Sequence, residues 1–243
     1  LAELVRQGEV PEMLVDEATM RILKLKNDLG LFENPYKDGD EAKEKDIVGC
    51  KEHRELARKM AAASFVLLKN EAVLPLKKEG ADRIAFMGPY VDNVEMYGSW
   101  SFPAKPENTV TIKNGVSKKA QNVFFAQGAY LQDAEQCTRY GGKQEQSAEE
   151  AQCMLKEAVE LAGKADTVVL CLGEHRDHSG EAGSRANICI PQSQMQLLNA
   201  VHEVNQNIVT LVFSGRPVEV KERVDKSKAV LMTWMPGTEG GNA

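Results

Sequence analysis

What the chain lacks limits its possible roles before any motif is considered. Its 243 residues hold no run approaching the ~18 apolar residues that a bilayer span needs, so no membrane partner is expected. Basic residues are not in excess. Thirty Lys and Arg against 36 Asp and Glu, interleaved, give a net charge of -6 and no electrostatic footprint for nucleic acid. The five cysteines (Cys50, Cys137, Cys153, Cys171 and Cys189) are odd in number and show no CxxC spacing. That argues against both a disulfide framework and a zinc ribbon. Cys171, inside an apolar run, and Cys189, in an Ile-Cys-Ile triplet, read as small buried hydrophobes. Free thiols point to a reducing, cytoplasmic setting; a signal segment upstream of Leu1 would instead send the protein to the periplasm or outside. Leu1 to Arg6 is amphipathic and charged, unlike a signal peptide, and no initiator Met is present. The chain is therefore expected to be a fragment or a processed product.

Several catalytic signatures are missing too. There is no GxxxxGK[ST], and no GxGxxG follows a strand to open a helix, so no phosphate cradle is expected. Gly237-x-x-Gly240-Gly241 has the wrong spacing, and its Glu239 would repel phosphate. No GxSxG elbow exists, and Ser179 follows no strand-turn-helix pattern, which leaves a Ser-His-Asp hydrolase without its serine. His175-x-x-His178 is short enough to chelate, but the remaining histidines, His53 and His202, fall inside helical patterns. No metal and no cofactor are expected.

An apolar share of 42% and a charged share of 27% describe an ordinary globular chain. Residues 11–29 predict a helix with Val15, Ala18, Ile22, Leu25 and Leu29 on one face and Gly30 as its cap. Lys37 to Asp46 shows no apolar periodicity and reads as linker. A helix isolated ahead of a linker has nothing to bury its stripe against, so it should belong to another domain. A second helix is expected over 51–69, stopped by Asn70, and Leu74-Pro75-Leu76 reads as extended. Strands and helices then alternate. Strands are expected over 83–87, 123–126, 167–172, 208–213 and 229–234. Helices are expected over 110–120, over 148–162 behind the capping box Ser147-x-x-Glu150, and from about Pro191. This order predicts a three-layer α/β/α sandwich with a mainly parallel five- to six-stranded sheet. Gly88, Gly128, Gly173, Gly215 and Pro236 should line one rim of it. Past Ala243 another helix is expected.

Within that pattern one stretch concentrates ionisable groups. The buried-type strand Thr167 to Leu172 empties through Gly173 into a loop holding Glu174, His175, Arg176, Asp177, His178, Glu181 and Arg185. Open α/β sheets place their chemistry at such carboxyl ends. Gly180 and Gly183 let the loop bend and carry Glu181 away from the sheet. Local chemistry alone does not distinguish Glu181 from the other acids.

A resemblance does. Arg21-Ile22-Leu23, Lys26 and Leu29-Gly30-Leu31-Phe32-x-Asn34-Pro35-Tyr36 resemble the end of the first domain, and its exit segment, of a glycoside hydrolase family 3 β-glucosidase of the bacterial periplasmic type. His53-Arg54-x-Leu56-Ala57-Arg58, Ser64 to Glu71 and Leu74-Pro75-Leu76 resemble the opening of that family's second domain. Gly98-Ser99-Trp100 is similar to its aromatic platform. Glu181-Ala182-x-Ser184-Arg185 and Ile188-x-Ile190-Pro191-Gln192-Ser193-Gln194 are similar to its catalytic loop. Gly215-Arg216-Pro217 and Gly237 to Ala243 complete the match.

The resemblance implies three parts: 1–36, the terminal helix and exit segment of a missing (β/α)8 catalytic barrel; 37–50, a linker; and 51–243, the α/β sandwich. It implies a retaining β-glucosidase acting on terminal non-reducing β-D-glucosyl residues of β-glucosides and cello-oligosaccharides. Glu181 matches the general acid/base, Trp100 the platform under the aglycone, and Arg185 a support of the acid/base loop. Glu174 has no assigned role. The nucleophilic aspartate would come from the missing barrel domain of the same polypeptide, its carboxyl ~5–5.5 Å from that of Glu181. No strand-end aspartate of that kind occurs in residues 1–50, so the isolated chain is expected to be inactive. A β-xylosidase or exo-glucanase of the same family, or a non-catalytic sugar-binding or scaffold module, is the alternative reading.

Overall fold

The computed structural model describes residues 1–36, 39–101, 105–133, 146–181 and 183–243, together with the backbone of 137–138 and 142–143. Ala182, the second residue of the Glu181 motif, and the side chain of Cys137 therefore lie outside the described residues. The chain divides into two compact units, Leu1–Cys50 and Lys51–Ala243.

The first unit is helical. Helix α1 (Ala2–Arg6) precedes α2 (Glu12–Asp28), the helix expected from the apolar stripe, and neither buries a residue. Met13, Leu14, Ile22, Leu23, Leu25 and Leu29 remain exposed. The stretch read as linker contains a third helix, α3 (Glu41–Ile47). Capping rather than periodicity explains it: the Asp40 carboxylate accepts from the backbone N–H groups of Ala42 and Lys43, both at 3.1 Å. Those bonds also hold the Asp40 carboxyl below its ordinary range.

The second unit is the sandwich. Its elements are α4 (Lys51–Ser64), β1 (Val66–Asn70), β2 (Ile84–Met87), α5 (Ile112–Ser117), β3 (Val123–Ala126), a two-residue ladder of β4 (Cys137–Thr138) and β5 (Gly142–Lys143), α6 (Ala148–Ala162), β6 (Thr167–Gly173), α7 (Gln192–Val204), β7 (Ile208–Phe213), α8 (Lys221–Lys226) and β8 (Ala229–Met232). Six strands form one mixed sheet in the order β1-β8-β7-β6-β2-β3. All neighbours run parallel except β1, which is antiparallel to β8.

Strand β6 lies in the middle and is buried along its whole length. Its alternate residues serve two cores. Val168, Leu170 and Leu172 face a cluster with Ala158 and Ala162 of α6, Leu197, Leu198 and Val201 of α7, and Val224 of α8. Val169 and Cys171 face Tyr90, Met96, Ile112 of α5 and Phe213 on the other side. Burying one such aliphatic side chain is worth about 1.5–3 kcal/mol, so β6 is the least replaceable strand. Burial also pushes the Cys171 thiol up.

Five expectations need correction. The helix expected over 51–69 ends at Ser64, because Val66-Leu67 and Lys69-Asn70 pair with the free edge of β8, Val66 opposite Met232 and Asn70 opposite Ala229, with a bulge at Leu68 between them. Asn70 does not stop a helix; its side chain closes the turn after β1, accepting from the N–H groups of Val73 and Leu74 at 3.1 Å each. The last strand stops at Met232, since Trp234 adopts a left-handed φ of 57°. Cys189 is exposed rather than buried, while its neighbour Ile190 fills the core. It sits in a loop outside the sheet, in a run from Ala186 to Cys189 that is exposed throughout. The capping box forms only in part: Ser147 Oγ accepts from Glu150 N–H at 3.3 Å, but the Glu150 carboxylate accepts instead from the Tyr130 hydroxyl at 2.6 Å.

Candidate active site

The site begins where β6 ends. A Cβ on Gly173 would stand 2.0 Å from the carbonyl oxygen of Phe213, so only glycine lets β6 and β7 stay paired there. The buried amide of Gln194 brackets the same residue, accepting from Gly173 N–H and donating to Gly173 C=O, both at 2.8 Å. A third bond, from Gln194 to Leu131 C=O at 2.9 Å, ties the strand end to the neighbouring loop.

Glu174 follows and is 1% exposed. Burying a carboxylate is costly unless it is paired and hydrogen-bonded, and here it is. Arg216 grips it with two bonds, Nε to Oε2 at 3.0 Å and Nη2 to Oε1 at 2.7 Å. Ser214 Oγ donates to Oε2 at 2.9 Å, and Arg185 Nη1 approaches Oε1 at 3.4 Å. The Glu174 carbonyl accepts from the Tyr90 hydroxyl at 2.6 Å. Tyr90 is itself buried and stacked on Phe213, and burial pushes its phenol up. Glu174 is thus a structural anchor under the loop, tying Ser214 and Arg216 at the exit of β7 to Arg185 of the loop.

Arg185 also reaches the Nδ1 of His178, at 2.7 Å. Arginine can only donate, so Nδ1 must accept, and His178 is neutral. Burial, followed by the positive charge of Arg185, brings its pKa down to about 4. The other histidine of the pair points elsewhere. His175 Nδ1 accepts from Asp177 N–H at 3.2 Å, while Nε2 faces the Glu95 carboxylate at 3.3 Å. That contact holds the Glu95 carboxyl below its ordinary range. Arg176 donates from Nη2 to Ser101 C=O at 3.1 Å and lies over the Tyr97 ring, 5.0 Å from its centroid.

Beyond this buried base the loop turns outward. Gly180 has φ +82°, and a Cβ there would stand 2.4 Å from Ser99 Oγ and 3.2 Å from Trp100 Nε1. The turn closes through Gly183 N–H to Gly180 C=O at 3.1 Å. Glu181, on that turn, is exposed to solvent. Trp100 is 69% exposed. The candidate acid and the candidate platform therefore stand on adjoining turns at the carboxyl rim of the sheet. Arg185 lies below them, engaged with Glu174 and His178.

A family model described as the glycosyl hydrolase family 3 C-terminal domain matches residues 65–243. The chain belongs to that family. Among curated relatives, it is 36% identical over its full length to a periplasmic β-glucosidase of Salmonella typhimurium, covering 33% of that protein. It is 32% identical to thermostable β-glucosidase B of Acetivibrio thermocellus, covering all of this chain and 29% of that one. A β-xylosidase of Formosa agariphila is 29% identical over 94% of the chain, covering 30% of that protein. Among solved structures, a mutant β-glucosidase from Listeria innocua in complex with laminaribiose superimposes with a TM-score of 0.83 at 35% identity, over all of this chain and 31% of that one. The chain thus spans about a third of the length of the curated relatives it matches.

Sequence reasoning left Glu174 without a role and missed Tyr90, Ser214 and Arg216 as its partners. The signal for Arg216 was the Gly-Arg-Pro motif at a strand exit. Tyr90 and Ser214 carry no such signal, since their contact with Glu174 follows from strand order alone.

Proposed function

We propose that this chain is the acid/base-bearing part of a retaining β-glucosidase, with Glu181 as the general acid/base and the nucleophilic carboxylate supplied by another domain of the same polypeptide. The observation that supports this reading most is the packing of Gly180, the residue before Glu181, on Ser99 and Trp100. It brings an exposed carboxyl group and an exposed indole face to one edge of the sheet. Residues 1–36 would be the end of the partner domain, and the exposed apolar face of α2 suits a helix that completes its packing there.

In the first step Glu181 gives its proton to the glycosidic oxygen as the bond to the anomeric carbon breaks and the partner carboxylate bonds to that carbon. In the second step the Glu181 carboxylate takes a proton from water, whose oxygen displaces the enzyme carboxylate and releases the sugar. Trp100 offers an apolar face on which the C–H face of a sugar or aryl aglycone stacks. Arg185 supports the loop through Glu174 and His178 rather than touching substrate. Terminal β-D-glucosyl residues of β-glucosides and cello-oligosaccharides are the proposed substrates. The 29% identity to a β-xylosidase favours a second reading in which the same machinery serves β-xylosides.

Leaving-group dependence tests the assignment. In the full-length polypeptide, Glu181→Ala should slow hydrolysis of cellobiose by about 100-fold or more, the usual size of a general-acid contribution. Hydrolysis of 2,4-dinitrophenyl β-glucoside, whose leaving group needs no proton, should slow much less in its first step. Equal losses on the two substrates would speak against the role.

A further inference from the structure

The loop bearing Glu181 and the turn bearing Trp100 come from segments some distance apart in the chain, yet they meet at more than Gly180. Arg176 crosses from the first to the second, its guanidinium over the Tyr97 ring and its Nη2 bonded to the carbonyl of Ser101, the residue after Trp100. Beside it, His175 has its Nδ1 filled by Asp177 N–H, so the ring proton sits on Nε2 and is donated toward Glu95. Two consecutive side chains thus hold the 95–101 segment from both ends.

We propose that Arg176, seconded by His175, is a positioning residue that fixes the aglycone wall formed by Trp100 relative to Glu181. This rests on the reading of Glu181 and Trp100 given above. The base of the Trp100 segment is secured independently. Gly237 N–H donates to Met96 C=O at 2.7 Å, Met96 is buried, and Gly98 abuts the Met235 side chain. Loss of the clasp therefore frees the tip, residues 99–101, and not the domain. Arg176 is suited to the task because a planar guanidinium can stack on an aromatic ring and donate in its own plane at once. Its consequence is selective: a displaced indole weakens binding of substrates that place a ring on it and leaves others alone.

The test compares cellobiose, which has a sugar ring as leaving group, with β-D-glucosyl fluoride, which has none, in the full-length polypeptide. Arg176→Ala should raise KM for cellobiose about 10-fold, the ratio that 1.4 kcal/mol of lost contact gives, with kcat held within about 3-fold. For the fluoride, kcat/KM should stay within about 2-fold of wild type. Arg176→Lys, which keeps a donor for Ser101 but not the stacked plane, should recover part of the cellobiose KM. Tyr97→Leu, which removes the ring and leaves the Ser101 bond, should give an intermediate rise and carries the test if Arg176→Ala does not fold. An unchanged cellobiose KM, or parallel losses on both substrates, would overturn the proposal. Glu181→Ala run alongside separates the two readings. If it shows the expected leaving-group dependence while Arg176→Ala changes nothing, the clasp alone fails. If Glu181→Ala matches wild type on both substrates, the acid/base reading fails.

Discussion

Arg216 holds both carboxylate oxygens of Glu174, at 3.0 and 2.7 Å, in a pair that closes the exits of β6 and β7 against each other. Glu174 is 1% exposed, so removing its charge would leave Arg216 and Arg185 facing one another beneath the loop. Glu174→Ala is expected to destabilise the fold by about 3–5 kcal/mol, the cost of breaking a buried pair, measured by urea unfolding. Glu174→Gln should cost less, since the amide oxygen still accepts from one arginine. A change below about 1 kcal/mol for Glu174→Ala would mean the network carries no structural weight.

The buried Arg223 makes the opposite prediction. It is 1% exposed, its Nε and Nη2 have no hydrogen-bond partner among the described residues, and Glu219 stands 3.7 Å away. Burial depresses its pKa. Arg223→Met fills the same volume without a desolvated charge, and should leave stability unchanged or raise it by about 1–4 kcal/mol, as similar replacements do. Thermal unfolding measures it, and a clear fall in Tm would show that the guanidinium is better satisfied than its neighbours indicate.

Stability should depend on pH through His178. Its folded pKa of about 4 lies below the 6.5 of an ordinary histidine. The unfolded chain therefore binds the extra proton first as pH falls. The contribution is fully present above pH about 6.5 and is lost progressively as pH drops toward 4. His178→Gln, which keeps an acceptor for Arg185, should flatten that part of the stability–pH curve. An unchanged slope in the variant would assign it to other groups.

Gly180 joins the two turns of the site under a double constraint, a φ of +82° and a wall of Ser99 and Trp100. Gly180→Ala should cost about 1–3 kcal/mol from backbone strain and displace Trp100, visible as a shift in tryptophan emission. Retention of both wild-type stability and emission would show that the turns are not in register.

Much of this arrangement was readable in the residues, for identifiable reasons. The five parallel strands are short apolar runs ended by glycine, proline or Ser-Gly; in β2, β6, β7 and β8 the pattern arises because both faces are covered, whereas β3 is a partly exposed edge. Strand β1 was hidden because Val66-Leu67-Leu68 continues the apolar face of α4 without a break. Only the vacant edge of β8 makes it a strand. Helix α3 was hidden because its stability comes from Asp40 and not from a stripe. At the site, glycines and the Gly-Arg-Pro motif marked the rim, whereas Glu174 and its partners Tyr90 and Ser214 became recognisable only when strands distant in sequence were laid side by side. Glu181 stands apart from all of these. Exposed on its turn, it has no local chemistry to mark it, and its assignment rests on the motif and on its neighbour Trp100.

The most direct test of the central claim is azide capture. In the full-length polypeptide carrying Glu181→Ala, turnover of an activated aryl β-glucoside should stall at the glycosyl-enzyme, because no base remains to activate water. Azide needs no base, so its addition should restore turnover and yield the β-glycosyl azide. Formation of that product is the predicted result. Wild-type rates without azide, and no glycosyl azide with it, would contradict the account and remove Glu181 from the mechanism.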